Sequence, residues 1–197
     1  HDAVRALAQA ALKRIEKAQP GPETQREVQG EAREGGRTWC VPVCYEQSEF
    51  APDLGAVAAT LGLSPQEVVA RHTSVTLRVL MVGFLPGLPY LGPVDPTLVL
   101  PRRAAPRTHV PALSVGLAAG MSVIYPRASP GGWHLLGRTP VPIFDLDHEP
   151  PGVFAAGDRV MFRAVSMAKY QELADRVAAG EPGAAVLADF AQDEAVA

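Results

Sequence analysis

The sequence contains little cysteine and no excess of positive charge, and it has no long apolar run. Two cysteines in 197 residues are too few for a disulfide framework or a thiolate-based zinc site. A net charge of −3 excludes a nucleic-acid partner bound through bulk charge. No segment approaches the roughly 18 apolar residues of a membrane span. We therefore expect a globular protein without a membrane segment. No signal peptide is visible, which favours a cytoplasmic location.

The two cysteines, Cys40 and Cys44, lie four residues apart in an apolar run. If this run is a strand, their side chains share one face but lie about 13 Å apart. They cannot bridge at that separation. We predict two buried free thiols, which suits a reducing compartment.

Proline and glycine are abundant, with 19 and 18 residues, and 13 of the prolines lie between Pro86 and Pro151. Each proline fixes φ and removes a donor, so this stretch cannot be mostly helical. It is rich in Val, Leu, Ile, Tyr and Trp, unlike a disordered segment. From Phe84 to Phe144 it carries five arginines, no lysine, no glutamate and one acid, Asp95. We predict short strands joined by proline- and glycine-set turns.

The periodicity predicts a mainly β protein with flanking helices. The predicted helices are Asp2–Lys17, Asp53–Leu61 with Asp53 as N-cap, a helix from Pro65 to about His72, and Ser166–Ala178. The predicted strands are Trp39–Tyr45, Ser74–Val82, Ser114–Leu117, Val123–Tyr125, His134–Gly137, Val141–Phe144 and Arg159–Ala164. Short strands about ten residues apart indicate a barrel or a sandwich. Gln19–Arg37 is predicted as an exposed linker and Ala184–Ala197 as a frayed tail.

Three loop clusters contain the candidate binding residues. Gly83 to Gly92 is either a structural corner or a rim that brings Tyr90 to a ligand. Pro101 to Pro111 carries Arg102, Arg103 and Arg107, whose planar guanidinium groups suit carboxylate or phosphate. These arginines repel one another unless an anion or an acid lies between them, although a solvated loop is the alternative.

The third cluster runs from Ser129 to Pro140. Gly131 and Gly132 could expose backbone N–H groups as an anion nest. Trp133 could close a pocket, and Arg138 adds a charge. The alternative is a hairpin turn with a core tryptophan.

The ionisable residues near these loops are nearly all arginines. The five histidines show no metal-ligand spacing, and no catalytic triad, P-loop or dinucleotide motif is present. Arginine binds and polarises but does not take protons. The catalytic residues therefore stay unknown, no metal is expected, and the chain is expected to be inactive alone.

The three clusters resemble one family in register, the family of 5-oxoprolinase B subunits, also called allophanate hydrolase subunit 1. The family includes a sporulation kinase inhibitor and is similar to half of the carboxyltransferase domain of urea carboxylase. The motifs that carry the resemblance are Gly83-Phe84-x-Pro86-Gly87-x-x-Tyr90-Leu91-Gly92, Pro101-Arg102-x-x-x-Pro106-Arg107-x-x-Val110-Pro111, and Ile124-Tyr125-Pro126-x-x-Ser129-Pro130-Gly131-Gly132-Trp133-x-Leu135-x-Gly137-Arg138-Thr139-Pro140.

The resemblance implies a small α+β N-terminal domain followed by a cyclophilin-like β-barrel. On that basis residues 1–36 are the remnant helix and linker of the first domain. Residues 37–165 form the barrel, and residues 166–197 form a C-terminal helix and tail. The resemblance also adds Ser114, Tyr125 and Ser129 to the substrate-binding candidates.

Family members work with A and C subunits to open 5-oxo-L-proline to L-glutamate, with ATP implied for the complex. We therefore expect the barrel pocket to bind a small carboxylate or carbonyl substrate. Two alternatives stay open. The chain is a non-catalytic inhibitor that binds a histidine kinase, or it is half of a biotin-dependent carboxyltransferase of the urea carboxylase type.

The sequence departs from the family pattern around residues 113–123. Family members read Val-Pro-Ala-Gly-Ser-Val-Gly-Ile-Ala-Gly, followed by Gln-Thr-Gly-Ile-Tyr-Pro. Here Leu113 replaces the first glycine and Ala119 the last, while Met121-Ser122-Val123 replaces Gln-Thr-Gly. Methionine offers no useful hydrogen bond in place of the glutamine amide. If that amide contacts substrate in the family, these departures alter the binding site.

Overall fold

A computed structural model describes residues 36–46 and 48–196 of the chain. The helix predicted at Asp2–Lys17 and nearly all of the predicted linker lie outside these residues. Among the described residues, no helix is long and apolar enough to cross a membrane.

The described residues contain nine strands. They are β1 Thr38–Val43, β2 Thr76–Val82, β3 Pro89–Gly92, β4 Arg107–Val110, β5 Ser114–Ala118, β6 Met121–Ile124, β7 Ser129–Gly131, β8 His134–Arg138 and β9 Arg159–Ala164. Seven form one sheet in the order β1-β9-β2-β3-β6-β5-β8, and β4 pairs with β7 in a separate two-stranded ribbon. Strands β1 and β9 are parallel, whereas the other pairs are antiparallel.

The seven-stranded sheet is curled, so that its two edge strands, β1 and β8, come together just after the last residue of β1. The amide of Cys44 donates to the carbonyl of Arg138 at 2.9 Å, and the amide of Arg138 donates back at 3.0 Å. This single antiparallel bridge joins the end of β1 to the end of β8. A mainly β, barrel-like fold with flanking helices is therefore confirmed.

In the described part of the chain, four α-helices flank the sheet: α1 Leu54–Leu61, α2 Pro65–Thr73, α3 Met167–Ala178 and α4 Gly183–Val196. A 3-10 turn covers Pro96–Leu98. The predicted start of α2 is confirmed as a full capping box between Ser64 and Glu67. Such a box satisfies amide donors that the first helical turn leaves open.

The sheet buries apolar side chains on both faces. Leu91 and Ile124 point into the main core, which α1, α3 and α4 help to close. Tyr90 and Val123 alternate with them and contribute to a second, smaller cluster on the opposite face, as the two-residue period of a strand requires. Cys40 and Cys44 are buried and free, as predicted.

The predicted frayed tail is wrong. The chain from Gly183 to Val196 is helix α4, and Val186, Leu187 and Phe190 are buried in the main core. These three residues share one helical face, so burial of that face holds the helix in place.

The strand predicted at Val141–Phe144 is also absent from the described structure, although Val141 and Ile143 are buried. Pro140 and Pro142 remove alternate amide donors, and a strand without those donors cannot join a ladder. By contrast, β3, β4 and β7 occupy segments that the sequence predicted as loops.

Two departures from the family pattern coincide with unusual backbone. Leu113 has φ of 65° and Ala119 has φ of 51°. Both angles lie in the left-handed region, where glycine is at ease and a Cβ costs about 1–2 kcal/mol. The turns at both ends of β5 therefore retain a glycine-type conformation without glycine.

Candidate functional site

Asp53 lies at the centre of a buried charge cluster beside the arginine loop. Its Oδ1 accepts from Arg103 at 2.9 Å and from Arg107 at 2.7 Å. Its Oδ2 accepts from Arg107 at 2.8 Å and from the amide of Leu135 at 2.7 Å. Arg107 thus grips the carboxylate with two nitrogens, the geometry that makes arginine–carboxylate pairs strong.

The arginine-rich segment has almost no acid of its own. Asp53, which lies outside that segment in sequence, is the acid that pairs with two of its arginines. Burial by itself would raise the pKa of Asp53. The hydrogen bonds from Arg107 and Leu135 and the charges of both arginines outweigh that effect, so the pKa lies below its usual value. Asp53 therefore stays ionised and neutralises positive charge on Arg103 and Arg107.

Two predictions change as a result. Asp53 precedes α1, but its side chain makes no capping hydrogen bond, because the carboxylate is directed to the arginines. Arg103 and Arg107 are absent from the pocket described next, so the structure does not bring them to a ligand there.

A small pocket of about 80 Å³ lies where the second face of the sheet meets the β4–β7 ribbon. It contains six of the predicted binding residues, together with Phe84, Leu88 and Pro130. The six are Tyr90, Arg102, Tyr125, Gly131, Gly132 and Trp133.

Arg102 is the cation of this pocket. Its guanidinium lies over the ring of Trp133, 5.2 Å from the centroid, and Tyr90 packs against the same indole with centroids 6.0 Å apart. Among the described residues, no acid pairs with Arg102. The pocket therefore combines aromatic walls with one unneutralised positive charge.

Tyr125 contributes a hydroxyl to the pocket. Burial raises the pKa of Tyr125 to about 12 although the nearby Arg102 charge opposes the shift. The phenol is therefore protonated at neutral pH and can donate a hydrogen bond. A Cβ at Gly131 would overlap this hydroxyl, so glycine is required there.

The loop that carries Arg102 is fastened to the pocket wall. The amide of Arg103 donates to the carbonyl of Gly132 at 2.8 Å, and His134 Nε2 lies 3.0 Å from the carbonyl of Pro101. Together with the Asp53 cluster, these contacts fix the loop on both sides of Arg102. The anion nest at Gly131 and Gly132 stays a prediction.

The other predicted binding residues lie elsewhere. Ser114 is buried in β5. The Ser129 hydroxyl donates to the carbonyl of Pro130. The Arg138 Nε donates to the carbonyl of Ala112, and its guanidinium stacks on Phe50. Met121 flanks Gly92 on the sheet and is not among the residues that line the pocket.

A chain of hydrogen bonds around His72 in the main core was not predicted from the sequence. Ser122 Oγ donates to the carbonyl of Gly116 at 2.9 Å and lies 3.1 Å from His72 Nε2. Nε2 therefore carries the proton and donates to Ser122, while Nδ1 accepts from the hydroxyl of Tyr45 at 2.8 Å. Burial lowers the pKa of His72 to about 4, so the imidazole is neutral. Neither the lone His72 nor Ser122 carries a local signal for this contact.

A larger groove of about 650 Å³ lies between the α1–α2 pair and the β9–α3 corner. Its walls are mainly apolar, and its charged side chain is Glu46. A negative charge repels a carboxylate, so this groove is a poor candidate for the predicted ligand.

The fold defines a mainly β protein with a pocket that combines aromatic walls and an exposed guanidinium. The chain belongs to the family described as carboxyltransferase domain, subdomain C and D, whose model matches residues 3–154. The resemblance found in the sequence is thereby confirmed.

Individual relatives agree with this assignment. The 5-oxoprolinase B subunit of Bacillus subtilis is 44% identical over 130 residues, which are 66% of this chain and 54% of the relative. A crystal structure of a conserved uncharacterized protein from Pyrococcus horikoshii matches with a TM-score of 0.65 and 36% identity, covering 83% of this chain and 70% of that one.

The structure of Kluyveromyces lactis urea carboxylase is similar in fold alone. It matches with a TM-score of 0.59 at 22% identity, over 72% of this chain and 15% of that one. The chain spans about half the length of the curated 5-oxoprolinase subunits that it matches.

Proposed function

We propose that this chain acts as the B subunit of an ATP-dependent 5-oxoprolinase, working with A and C subunits to open 5-oxo-L-proline to L-glutamate. Curated relatives at 42–46% identity are named as B subunits of 5-oxoprolinase, which supports the assignment. ATP is assigned to the assembled complex rather than to this chain. The two buried free thiols fit a reducing compartment such as the cytoplasm.

The observation that carries the proposal is the pocket built from Arg102, Tyr125 and the Tyr90–Trp133 pair. The substrate is a five-membered lactam with a planar amide group and one carboxylate. Arg102 suits the carboxylate, the Tyr125 hydroxyl suits a carbonyl oxygen, and the aromatic walls suit the planar amide face. The role of this chain is then to bind and orient the substrate.

The same pocket supports the expectation that the chain is inactive alone. Its polar groups are a cation and a protonated phenol, and neither removes a proton from water at neutral pH. We assign the proton-transferring groups to another subunit of the complex. A pocket of about 80 Å³ is also smaller than most ligand cavities, as expected if a partner completes the site.

The proposal is tested by combining full-length protein with the A and C subunits and measuring ATP hydrolysis that depends on 5-oxoproline. We expect Arg102→Gln to weaken 5-oxoproline binding roughly 10- to 150-fold, the cost of losing a charged hydrogen bond. Arg127→Gln is the matched control, since Arg127 is exposed and is not among the pocket residues. Absence of activity in the wild-type mixture would overturn the proposal.

A second candidate function is inhibition of a histidine kinase by direct binding. The observation that favours it is an exposed apolar run at the end of β2, where Leu80, Met81 and Val82 are 50%, 54% and 38% exposed. Contiguous exposed apolar side chains often mark protein contacts. Loss of kinase autophosphorylation on addition of the wild-type protein, restored by Met81→Asp, would support this candidate.

The third candidate is half of a biotin-dependent carboxyltransferase. It stays a proposal based on the shared domain family. Carboxyl transfer from biotin to urea in the presence of the complementary half would distinguish it from the first proposal.

A further inference from the structure

Phe84 has an unusual backbone conformation at the mouth of the Arg102 pocket. Its φ is 69°, in the region where a bulky side chain is a genuine outlier. Its side chain is 79% exposed, so burial of the ring does not compensate for the strain. Residues held in such conformations concentrate at functional sites, and an observed outlier is a reason to look for function.

The backbone of the loop around Phe84 is held by hydrogen bonds and close packing. The amide of Gly83 donates to the carbonyl of Leu88 at 3.0 Å, and the amide of Leu88 donates to Leu85 at 3.1 Å. A Cβ at Gly87 would lie 2.6 Å from Phe144, so the loop is closely packed there. Leu85 and Leu88 pack in the second apolar cluster. These contacts therefore hold the backbone from which the Phe84 ring extends.

The ring of Phe84 lines the pocket with Tyr90, Arg102 and Trp133. Tyr90 and Arg102 already pack on Trp133. Among the described residues, the Phe84 ring pairs with no other aromatic ring. An unpaired aromatic face beside an unneutralised guanidinium suits a flat ring that carries a carboxylate.

We infer that Phe84 is a ligand-contacting residue that gives this pocket its preference for planar cyclic carboxylates. The inference rests on the proposed role of the pocket and adds a specificity determinant to it. Arg102 holds the carboxylate of the ligand, and Phe84 covers the flat ring from the open side. A puckered ring of the same size and charge makes poorer contact with that face.

The test compares two carboxylates with the full-length protein by isothermal titration calorimetry. Pyrrole-2-carboxylate has a planar five-membered ring, and cyclopentanecarboxylate has a puckered ring of the same size and charge. We expect wild type to prefer the planar ring roughly three- to tenfold, the range of an aromatic contact. Phe84→Leu should abolish the preference, and Phe84→Tyr should keep it.

Leu146→Ala is the matched control, because Leu146 is 81% exposed and does not line the pocket. Its planar preference should equal that of wild type. Thermal unfolding of each variant confirms that the fold is retained.

The outcomes separate this inference from the proposed function. If Arg102→Gln removes binding while Phe84→Leu keeps the planar preference, the inference is overturned and the pocket proposal stands. If Phe84→Leu weakens both carboxylates equally, the ring does not read planarity and the inference is again overturned. A Phe84-dependent preference without 5-oxoprolinase activity supports the inference and removes the proposed reaction. Binding of neither carboxylate by wild type overturns the inference, while the proposed reaction is decided by the ATP hydrolysis assay of the complex.

Discussion

Arg102 and Arg107 lie five residues apart in one segment, yet their surroundings differ. Arg107, together with Arg103, is paired with the buried carboxylate of Asp53. Arg102 is exposed and stacks on Trp133 without an acid among the described residues. Identical side chains are therefore neutralised in one place and leave an exposed charge, our proposed ligand contact, in the other. The position of a single acid from a distant segment separates the two surroundings.

The largest expected effect comes from removing that acid. Asp53→Ala leaves two partly buried arginines uncompensated, and breaking a buried pair in this way costs about 3–5 kcal/mol of unfolding free energy. Arg102→Ala removes an exposed side chain and should stay within about 0.5 kcal/mol of wild type. Urea denaturation of both variants measures the difference. Equal stabilities would show that the Asp53 cluster contributes little.

The next effect concerns pH and the buried neutral histidine. The pKa of His72 is about 4 in the folded protein and about 6.5 in an unfolded chain. Between these values the unfolded state binds more protons, so stability falls as pH drops from 6.5 to 4. The slope is about 1.4 kcal/mol per pH unit, about 3 kcal/mol in total.

Denaturation at several pH values measures this slope. His72→Gln should flatten it, whereas His109→Gln at an exposed position should leave it unchanged. An unaltered slope in His72→Gln would contradict the assignment. Asp53 removes further stability below about pH 4, because its pKa is depressed in the folded state. The buried groups His72 and Asp53 thus affect the stability of the fold, whereas the exposed Arg102 does not.

A smaller effect tests whether Gly131 and Tyr125 belong to a binding pocket rather than to an ordinary surface. Gly131→Ala places a methyl group onto the Tyr125 hydroxyl and should displace it, whereas the nearest atoms to a Cβ at Gly132 are 3.8 Å away. We expect Gly131→Ala to weaken 5-oxoproline binding about tenfold through loss of one hydrogen bond. Gly132→Ala should bind as wild type does. Calorimetry that finds the two variants equal would remove Tyr125 from the site.

The smallest expected effect is a gain in stability from a change at Ala119, whose backbone holds the start of the arginine loop. The amide of Ala119 donates to the carbonyl of Leu100 at 2.7 Å, just before the arginines begin. Ala119→Gly relieves the strain of the left-handed backbone at this position. Glycine also loses more backbone entropy on folding, which offsets part of that gain, so the free energy of unfolding should rise by about 0.5–1 kcal/mol. Ala118→Gly is the control and should destabilise. Thermal unfolding that ranks the two variants in reverse would refute the strain.

Much of the fold could be predicted because its signals are local. The capping box at Ser64 and the strand at Arg159–Ala164 depend on neighbouring residues, and both occur where the sequence places them. Helix α4 was missed, although Val186, Leu187 and Phe190 carry a short helical pattern. Its stability comes from burial against the core, which a sequence does not display.

The candidate site could be predicted in part. Six of the predicted residues meet in one pocket, because the motifs around Tyr90, Arg102 and Trp133 are distinct in sequence. Phe84 was overlooked although it lies in the same motif as Tyr90. The separation of Arg102 from Arg103 and Arg107 could not be predicted, because the loop reads as a single positive cluster.

The sequence by itself determined the family, the strand-rich architecture and the segments that build the pocket, since these depend on local periodicity and on motifs in register. The tertiary structure decided which charges are neutralised. Asp53 lies 50 and 54 residues from its arginine partners, and His72 lies 50 residues from Ser122. Contacts at such separations arise when the sheet curls and buries them, so no local pattern encodes which arginine remains free.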